Sequence, residues 1–322
     1  MRHWLRITKE TTYNGGPMSS PTLNTDQIWL DYGTNPPQMN QNPVMFNIQS
    51  VVPKRGVVTR TAGSDQYDCN GGFSTLLFHE QANFWASAVL QPTIPSNNLQ
   101  YLPSYTIDRA MINNGNLTWT DRFTGCMFQS ATLNGSNEGA RAPISLAVNV
   151  MGSTRTTVPA TPAFNAPDTS VLPVKAYRWN NTTFALGGTS VNAILRSWSL
   201  AITHNLTTRR NVGQTINAIR HNGWSPVFSA VWDTDAWDYR TKFLSLIGSQ
   251  TQGQYSNSTL TLADSVTTGT TVFTLANLMF SGLTDNTPIA DFFTENVTMV
   301  PIFDSTNLDM TVAYTAGSVP TP

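Results

Sequence analysis

Ile144-Ser145-Leu146-Ala147-Val148-Asn149-Val150 places an apolar side chain at every second position, the period of a strand with one dry and one wet face. This strand closes the segment 123–152, which reads as a β-hairpin: an earlier strand over 125–133, the turn Asn134-Gly135-Ser136-Asn137, then the strand just quoted. The end of the chain reads the same way. Leu308-Asp309-Met310-Thr311-Val312-Ala313-Tyr314 alternates too, after the turn Asp304-Ser305-Thr306-Asn307 and an earlier strand over 296–303. The two hairpins lie about 165 to 170 residues apart, roughly half the chain, as in a duplicated domain and not a short solenoid repeat. The sequence therefore predicts two copies of one β-rich unit.

A chain of 322 residues is long enough for two such domains, each with its own core. Only 11% of residues are charged, against about 25% in an average soluble protein, so Asn, Thr, Ser and Gln must supply most of the wet surface. Such a surface suits extracellular or virion proteins that lie against many copies of themselves, where an unpaired buried charge costs several kcal/mol. A net charge of -1 argues against a dedicated nucleic-acid binder, and Lys54-Arg55 and Arg209-Arg210 are too short to form a basic stripe. No run approaches the eighteen or so apolar residues of a membrane helix, and residues 1–6 lack the apolar core of a secretory signal. A soluble protein made in the cytoplasm is expected. Cys69 and Cys126 form no disulfide framework. They are either a pair, if their Cα atoms come within about 7 Å, or two small buried thiols.

Along the first half, residues 2–9 read as an opening strand, 10–21 as a loop and 28–32 as a short strand. Residues 33–43 hold Asn35-Pro36-Pro37 and many Asn and Gln; since proline has no ladder donor, the segment reads as an excursion from the domain body. Strand character resumes over 44–52, 56–61 and 73–78. Residues 79–90 then read as a helix, with Phe84, Trp85, Ala88 and Val89 on one face and Gln91-Pro92 as its stop. The second half repeats this step, with a strand over 227–232 and a helix over 235–247 carrying Phe243, Leu246 and Ile247, ended at Gly248. Between the halves, 158–173 is rich in proline and alanine without periodicity, an extended linker. The second domain opens with 176–186, the turn Gly187-Gly188 and the alternating strand 197–203. Residues 205–213 form a second candidate excursion, 214–220 fit a strand edge or a helical turn, and 260–262 and 270–280 lead to the closing hairpin. The tail 317–322 is expected to be disordered, or ordered only by a partner. The fold class expected is mainly β with two short helices: tandem β-barrel or β-sandwich domains over 1–157 and 174–322.

Motifs for chemistry fall short. His79-Glu80 would suit zinc only with a second His one turn on, and position 83 is Asn. Asp233, Asp235 and Asp238 fail as a calcium loop, since Trp237 takes a ligand position and no glycine follows; Asp235 as N-cap and Asp238 in the first turn serve the helix amides instead. No nucleophile elbow, phosphate-cradling loop or dinucleotide fingerprint occurs. Asn-x-Thr/Ser triplets such as Asn116-Leu117-Thr118 and Asn296-Val297-Thr298 are expected by chance in a chain this rich in Asn and Thr. Trp198, Trp224, Trp232 and Trp237 read as core or subunit interface, with a stacking platform as the alternative. No enzyme activity, cofactor or metal is expected.

Several stretches in this order resemble one family: Lys9-Glu10-Thr11-Thr12-Tyr13, the helix end Ala88-Val89-Leu90, Tyr105-Thr106 followed by Arg122-Phe123-Thr124-Gly125-Cys126-Met127-Phe128, then Met151-Gly152 and Trp198-Ser199-Leu200-Ala201-Ile202-Thr203-His204-Asn205. The chain is similar to the tail tube proteins of long-tailed, siphovirus-like bacteriophages, in their double-domain form. The resemblance implies a structural virion protein. It would be the major tail tube subunit, assembling into trimeric, pseudo-hexameric rings stacked into a conduit for ejection of double-stranded DNA. Implied partners are further copies of the chain, the tape-measure and tail terminator proteins, and DNA passing without sequence recognition. The implied location is the virion tail, after assembly in the host cytoplasm. The two excursions are placed to reach the next ring, making Asn35, Gln38, Asn40, Gln41, Arg209 and Arg210 candidate inter-ring contacts. A phage decoration or carbohydrate-binding β-sandwich is the alternative, and a hydrolase with a scattered carboxylate pair a further one.

Overall fold

The computed structural model describes residues 2–33, 38–48, 59–92, 102–113, 116–137, 142–158, 175–210, 216–233, 254–264, 269–286, 294–302 and 309–315. The first half carries β1 (Arg2–Lys9), β2 (Gln27–Gly33), β3 (Gln38–Ile48), β4 (Thr59–Leu76), β5 (Tyr105–Asn113), β6 (Asn116–Ser136), β7 (Ser145–Gly152) and β8 (Thr154–Val158). The second carries β9 (Thr182–Leu186), β10 (Thr189–Ser190), β11 (Leu195–Arg210), β12 (Ile216–Asp233), β13 (Gln254–Tyr255), β14 (Ser258–Ala263), β15 (Thr270–Leu275), β16 (Leu278–Asn286), β17 (Thr294–Pro301) and β18 (Met310–Thr315). The protein is mainly β, as the alternation predicts. Strand β7 shows why: Leu146, Val148 and Val150 are buried, while Ser145, Ala147 and Asn149 turn outward.

The pairing reveals one plan used twice. In the first half the strands run β3-β4-β7-β6 in one array and β2-β1-β5-β6-β8 in the other, the long β6 belonging to both. In the second half the arrays are β11-β12-β17-β16 and β10-β9-β14-β15-β18. Strand for strand these orders coincide, with β6 divided into β15 and β16. The division falls at Asn277, which has φ 39°; the corresponding point of β6 is Gly125, with φ 61°. Irregularities recur as well. The β6–β7 ladder slips between Phe128 and Ser130, and the β16–β17 ladder between Phe280 and Gly282. The β3–β4 ladder slips between Pro43 and Met45, and the β11–β12 ladder between His204 and Leu206. Tyr105 packs its ring 5.2 Å from Phe128, and Tyr255 packs 5.7 Å from Phe280. Bulges are positional features that persist within a fold, so their coincidence is stronger evidence of repetition than strand count.

The halves are sewn together where β6 pairs antiparallel with β11, from Ser136 opposite Ser197 to Ser130 opposite Thr203. This joint makes a single 13-stranded sheet that crosses both halves, beside a five-stranded one. Neither closes into a barrel among the described residues, so the sandwich and not the barrel form of the expectation holds. One core cluster runs from Leu5 and Phe73 through Trp85 and Phe128 to Trp232, Phe280 and Met310.

The expected helix at 79–90 is present as a 3₁₀ turn (His79–Gln81), an α turn (Ala82–Trp85) and a π turn (Ala86–Leu90), buried on the predicted face. Too short to persist alone, it is held by tertiary packing. Trp85 lies 5.7 Å from Phe128, and the Gln91 side chain accepts a hydrogen bond from the backbone of Val312 in β18. The second expected helix, 235–247, the tail and the linker beyond Val158 lie outside the described residues.

Three readings are corrected. Residues 38–43 are not an excursion but the start of β3, which among the described residues pairs only with β4; proline is tolerated there because β3 stands at the edge of the described sheet and Pro43 sits at its bulge. Residues 205–210 continue β11 into a hairpin with β12. The closing hairpin does not form: β17 pairs with β12 and β16, whereas β18 pairs with β15 in the other sheet. The counterpart of β6–β7 is β16–β17, one strand earlier than the sequence suggests.

Gly125 is required at its turn. A Cβ there would stand 2.8 Å from the Cβ of Ser153, on backbone at φ +61°. Gly125→Ala is expected to cost about 1–2 kcal/mol from the left-handed backbone alone. The check is the urea midpoint, where an unchanged value would show that the turn is not strained.

Candidate functional site

The face of the large sheet that points away from the core runs continuously across strands of both halves. Its rows follow from the register. Ser145 lies opposite Asn134, Asn134 opposite Ser199, Ser199 opposite Ser229 and Ser229 opposite Thr298, one continuous line across β7, β6, β11, β12 and β17. The next line runs Ser136, Ser197, Val231, Asn296. On the other side it runs Ala147, Thr132, Ala201, Val227. Ser74 in β4 extends this last line opposite Ala147. Along these rows every outward side chain is small and uncharged, while Leu133, Leu200, Phe228 and Met299 fill the core behind them. The face is open, with a shallow depression whose lining includes Asn134, Ser136, Ser199, Ser229, Asn296 and Thr298.

Charged side chains lie outside these rows. Asp108 of β5 is buried between Arg6 of β1, whose Nε donates at 3.0 Å, and Arg122 of β6, whose Nε donates at 2.7 Å. Asp121 is likewise buried between Arg109 at 2.9 Å and Arg155 at 2.8 Å. Successive residues of a strand point to opposite faces, so these two clusters lie on opposite sides of the β1–β5–β6–β8 array. Arg6 also covers Trp29, and Arg109 and Arg155 cover Phe123. At the end of β12, on the same side as Val231, Asp233 closes the margin of the face and is paired with Arg196.

Glu10 is a third buried acidic hub. Its carboxylate accepts from the amide of Asn14 at 2.8 Å, the hydroxyl of Thr106 at 2.8 Å and the amide of Gly125 at 3.0 Å, fixing the 10–17 loop to the bend of β6. Backbone donors satisfy this carboxylate as a capping residue satisfies a helix end.

The joint between the halves carries a histidine pair. His204 of β11 is buried, and its Nε2 donates to the Val89 carbonyl at 2.8 Å, leaving Nδ1 to accept from Nε2 of His221, 3.4 Å away. Trp224 stacks on His204 and donates to the half-buried Asp309. Burial pushes the pKa values of both histidines down. Burial also lowers His3 and His79, so all four histidines of the chain sit below the ordinary 6.5. A folded-state pKa below the unfolded one means the unfolded chain binds more protons in that window. Stability is therefore expected to hold above about pH 7 and to fall as pH drops below 6.5 through the lowered values. Burial raises Asp309, an offset of opposite sign confined to the range just above its ordinary 3.8. Urea midpoints measured at intervals from pH 8 to pH 5 check this, and a flat profile would contradict it.

Of the residues singled out in the sequence, Gln38, Asn40 and Gln41 lie on the edge strand β3, and Arg209 and Arg210 lie at the far end of the β11–β12 hairpin. Asn35, Asp235, Asp238 and Trp237 lie outside the described residues. His79 is no zinc ligand in waiting: its Nδ1 meets the Tyr177 hydroxyl at 2.9 Å, and its ring packs on Tyr177 and Tyr314. Trp198 and Trp232 are buried in the core and Trp224 is packed on His204, so these three form no stacking platform. Cys69 and Cys126 are both buried and are not joined in a disulfide. Among the described residues no helix is long and apolar enough to cross a membrane. The uncharged face itself was missed in the sequence, although its signal is there: Ser197/Ser199, Asn134/Ser136 and Asn296/Thr298 all alternate with core residues.

A family model described as phage tail tube protein matches residues 5–316 of the chain. No curated protein sequence matches it.

Proposed function

The chain belongs to the phage tail tube protein family, and from that premise we propose that it is the major tail tube subunit, whose uncharged sheet face lines the DNA conduit. The tail tube family makes it a structural component of the virion tail. The finer reading is that copies assemble into trimeric, pseudo-hexameric rings, stack into a tube during assembly in the host cytoplasm, and meet the tape-measure and tail terminator proteins. We read the repeated strand plan as a duplication, with units over 1–157 and 174–322 and a linker over 158–173. Two tube-type units per chain would let three chains present six.

The observation that carries the reading is the uncharged face. Duplex DNA bears about one negative charge per 1.7 Å of axis, and cationic contacts supply most non-specific affinity. A wall of serine, threonine, asparagine and small apolar groups offers it no ion pair, so the duplex can slide. The width is compatible. Eight strands in succession, β3-β4-β7-β6-β11-β12-β17-β16, span about 38 Å at the usual strand spacing. Three copies would close a ring about 37 Å across between backbones, wider if the strands tilt. Arg209 and Arg210, at the hairpin end, are proposed as contacts between stacked rings.

The wall is tested by placing cations on it. Ser199→Lys with Ser229→Lys is expected to leave tubes intact under negative stain and to slow DNA release from assembled particles, with high salt relieving the delay. Release at the normal rate at low salt would remove this face from the lumen.

A further inference from the structure

We propose that His204 and His221 form a binding site for a divalent transition-metal ion of the zinc type, held by Nδ1 of the first and Nε2 of the second where β11 meets β12. The two nitrogens stand 3.4 Å apart, long for a hydrogen bond. The spacing is that of two ligands on one ion: nitrogens at about 2.0–2.1 Å from a tetrahedral centre lie about 3.3–3.4 Å from each other. The ring planes make 59° with centroids 5.3 Å apart, so the rings meet by their nitrogen-bearing edges and not by their faces. The two residues lie 17 positions apart and are brought together only by strand pairing, so no spacing in the sequence announces them.

The outer side of each ring is set for this role. Nε2 of His204 donates to the Val89 carbonyl at 2.8 Å, which fixes the tautomer and leaves a lone pair on Nδ1. The His221 ring has a bond of its own to the backbone of Gly223; it favours the protonated ring, so the ring donates and the carbonyl accepts. A neutral imidazole owns one N–H. When Nδ1 of His221 spends it on Gly223, Nε2 becomes a second lone pair facing the first, and the two repel unless a cation lies between them. Without the ion, a proton on Nε2 fills that place. With it, the ring proton passes to Nδ1 and none is released from a neutral ring. Burial lowers both rings below the ordinary 6.5, so each is neutral above that pH, as a ligand must be.

The site is both braced and open to solvent. Trp224 stacks on His204 and the Val89 carbonyl holds its far edge, so the buried ligand is pre-positioned. His221 is half-buried, and Asn222 and Gly223 beside it are exposed. Among the described residues no third His, Cys, Asp or Glu completes the set, so water fills the remaining positions of the ion. The ion would bridge β11 and β12 where their ladder slips between His204 and Leu206. It would thereby tie the hairpin end that carries Arg209 and Arg210 to the helix end at Val89.

Calorimetric titration of the purified chain with zinc at about pH 7.5, where both histidines are neutral, tests the site. One ion per chain is expected, with the thermal midpoint rising as zinc is added. His221→Ala removes the half-buried ligand and should lose both the binding and the rise, whereas His3→Ala should keep both. Nitrogen-15 spectra of the unmodified chain read the ligating atoms without any variant: Nδ1 of His204 and Nε2 of His221 should shift together on adding zinc, while Nε2 of His204 keeps its proton. Absence of stoichiometric binding, binding that survives His221→Ala, or ligation through other ring nitrogens overturns the site.

Discussion

Asp108→Ala is expected to destabilise the fold by about 3–5 kcal/mol, because it strips the shared counter-charge from Arg6 and Arg122 inside the first-half sheet. The aspartate is fully buried and both guanidinium groups are mostly covered, so neither cation can recover its hydration by a small movement. The cost therefore reflects the counter-charge withdrawn from two mostly covered guanidinium groups more than the worth of either ion pair. Two further measurements separate these. Arg122→Met alone should cost less, since Asp108 keeps Arg6. The double variant Asp108→Ala with Arg122→Met should cost less than the two single losses added together. Denaturant midpoints check all three; additivity would show that the residues do not act as a unit.

Trp85→Ala is expected to cost a further class of energy, about 3–5 kcal/mol from lost burial and the cavity left behind. Trp85 is fully enclosed by Phe73, Phe84 and Phe128, with ring centroids 6.4, 5.2 and 5.7 Å away. Its helix has too few turns to stand without this anchor, and the helix in turn supports β18 through Gln91 and β11 through the Val89 carbonyl. The loss should therefore spread into the second half and lower protection of β11 and β18 amides in hydrogen exchange. Trp85→Phe, which keeps an aromatic in place, should retain most of the stability. A local effect confined to the helix would contradict this coupling.

The parts of the fold legible in the sequence were those set by local periodicity. The alternation in β7 and β11 and the spacing of Phe84, Trp85, Ala88 and Val89 name a buried face directly, and the structure buries those faces. Alternation does not name a partner, however. Strands β17 and β18 follow each other in sequence and both alternate, yet they belong to different sheets, because pairing is decided by what each face must cover. Proline misled the reading of β3 for a related reason: its cost depends on whether the strand is central or at an edge, which is a tertiary fact. The buried acidic hubs were beyond reach too. Asp108 meets Arg6 across 102 positions of chain, and no local spacing announces it. The uncharged face lay between these cases. Its residues alternate visibly within each strand, but only the register lines Ser145, Asn134, Ser199, Ser229 and Thr298 into one surface.

The account depends on that surface turning inward when copies of the chain associate. Electron cryomicroscopy of the purified, assembled protein reads this directly. The expected result is a hollow ring in which the row through Asn134, Ser199 and Ser229 faces the central channel, with the arginine-rich β1–β5–β6–β8 array set back from it. Rings whose channel is lined by another face, or compact particles with no channel, would contradict it.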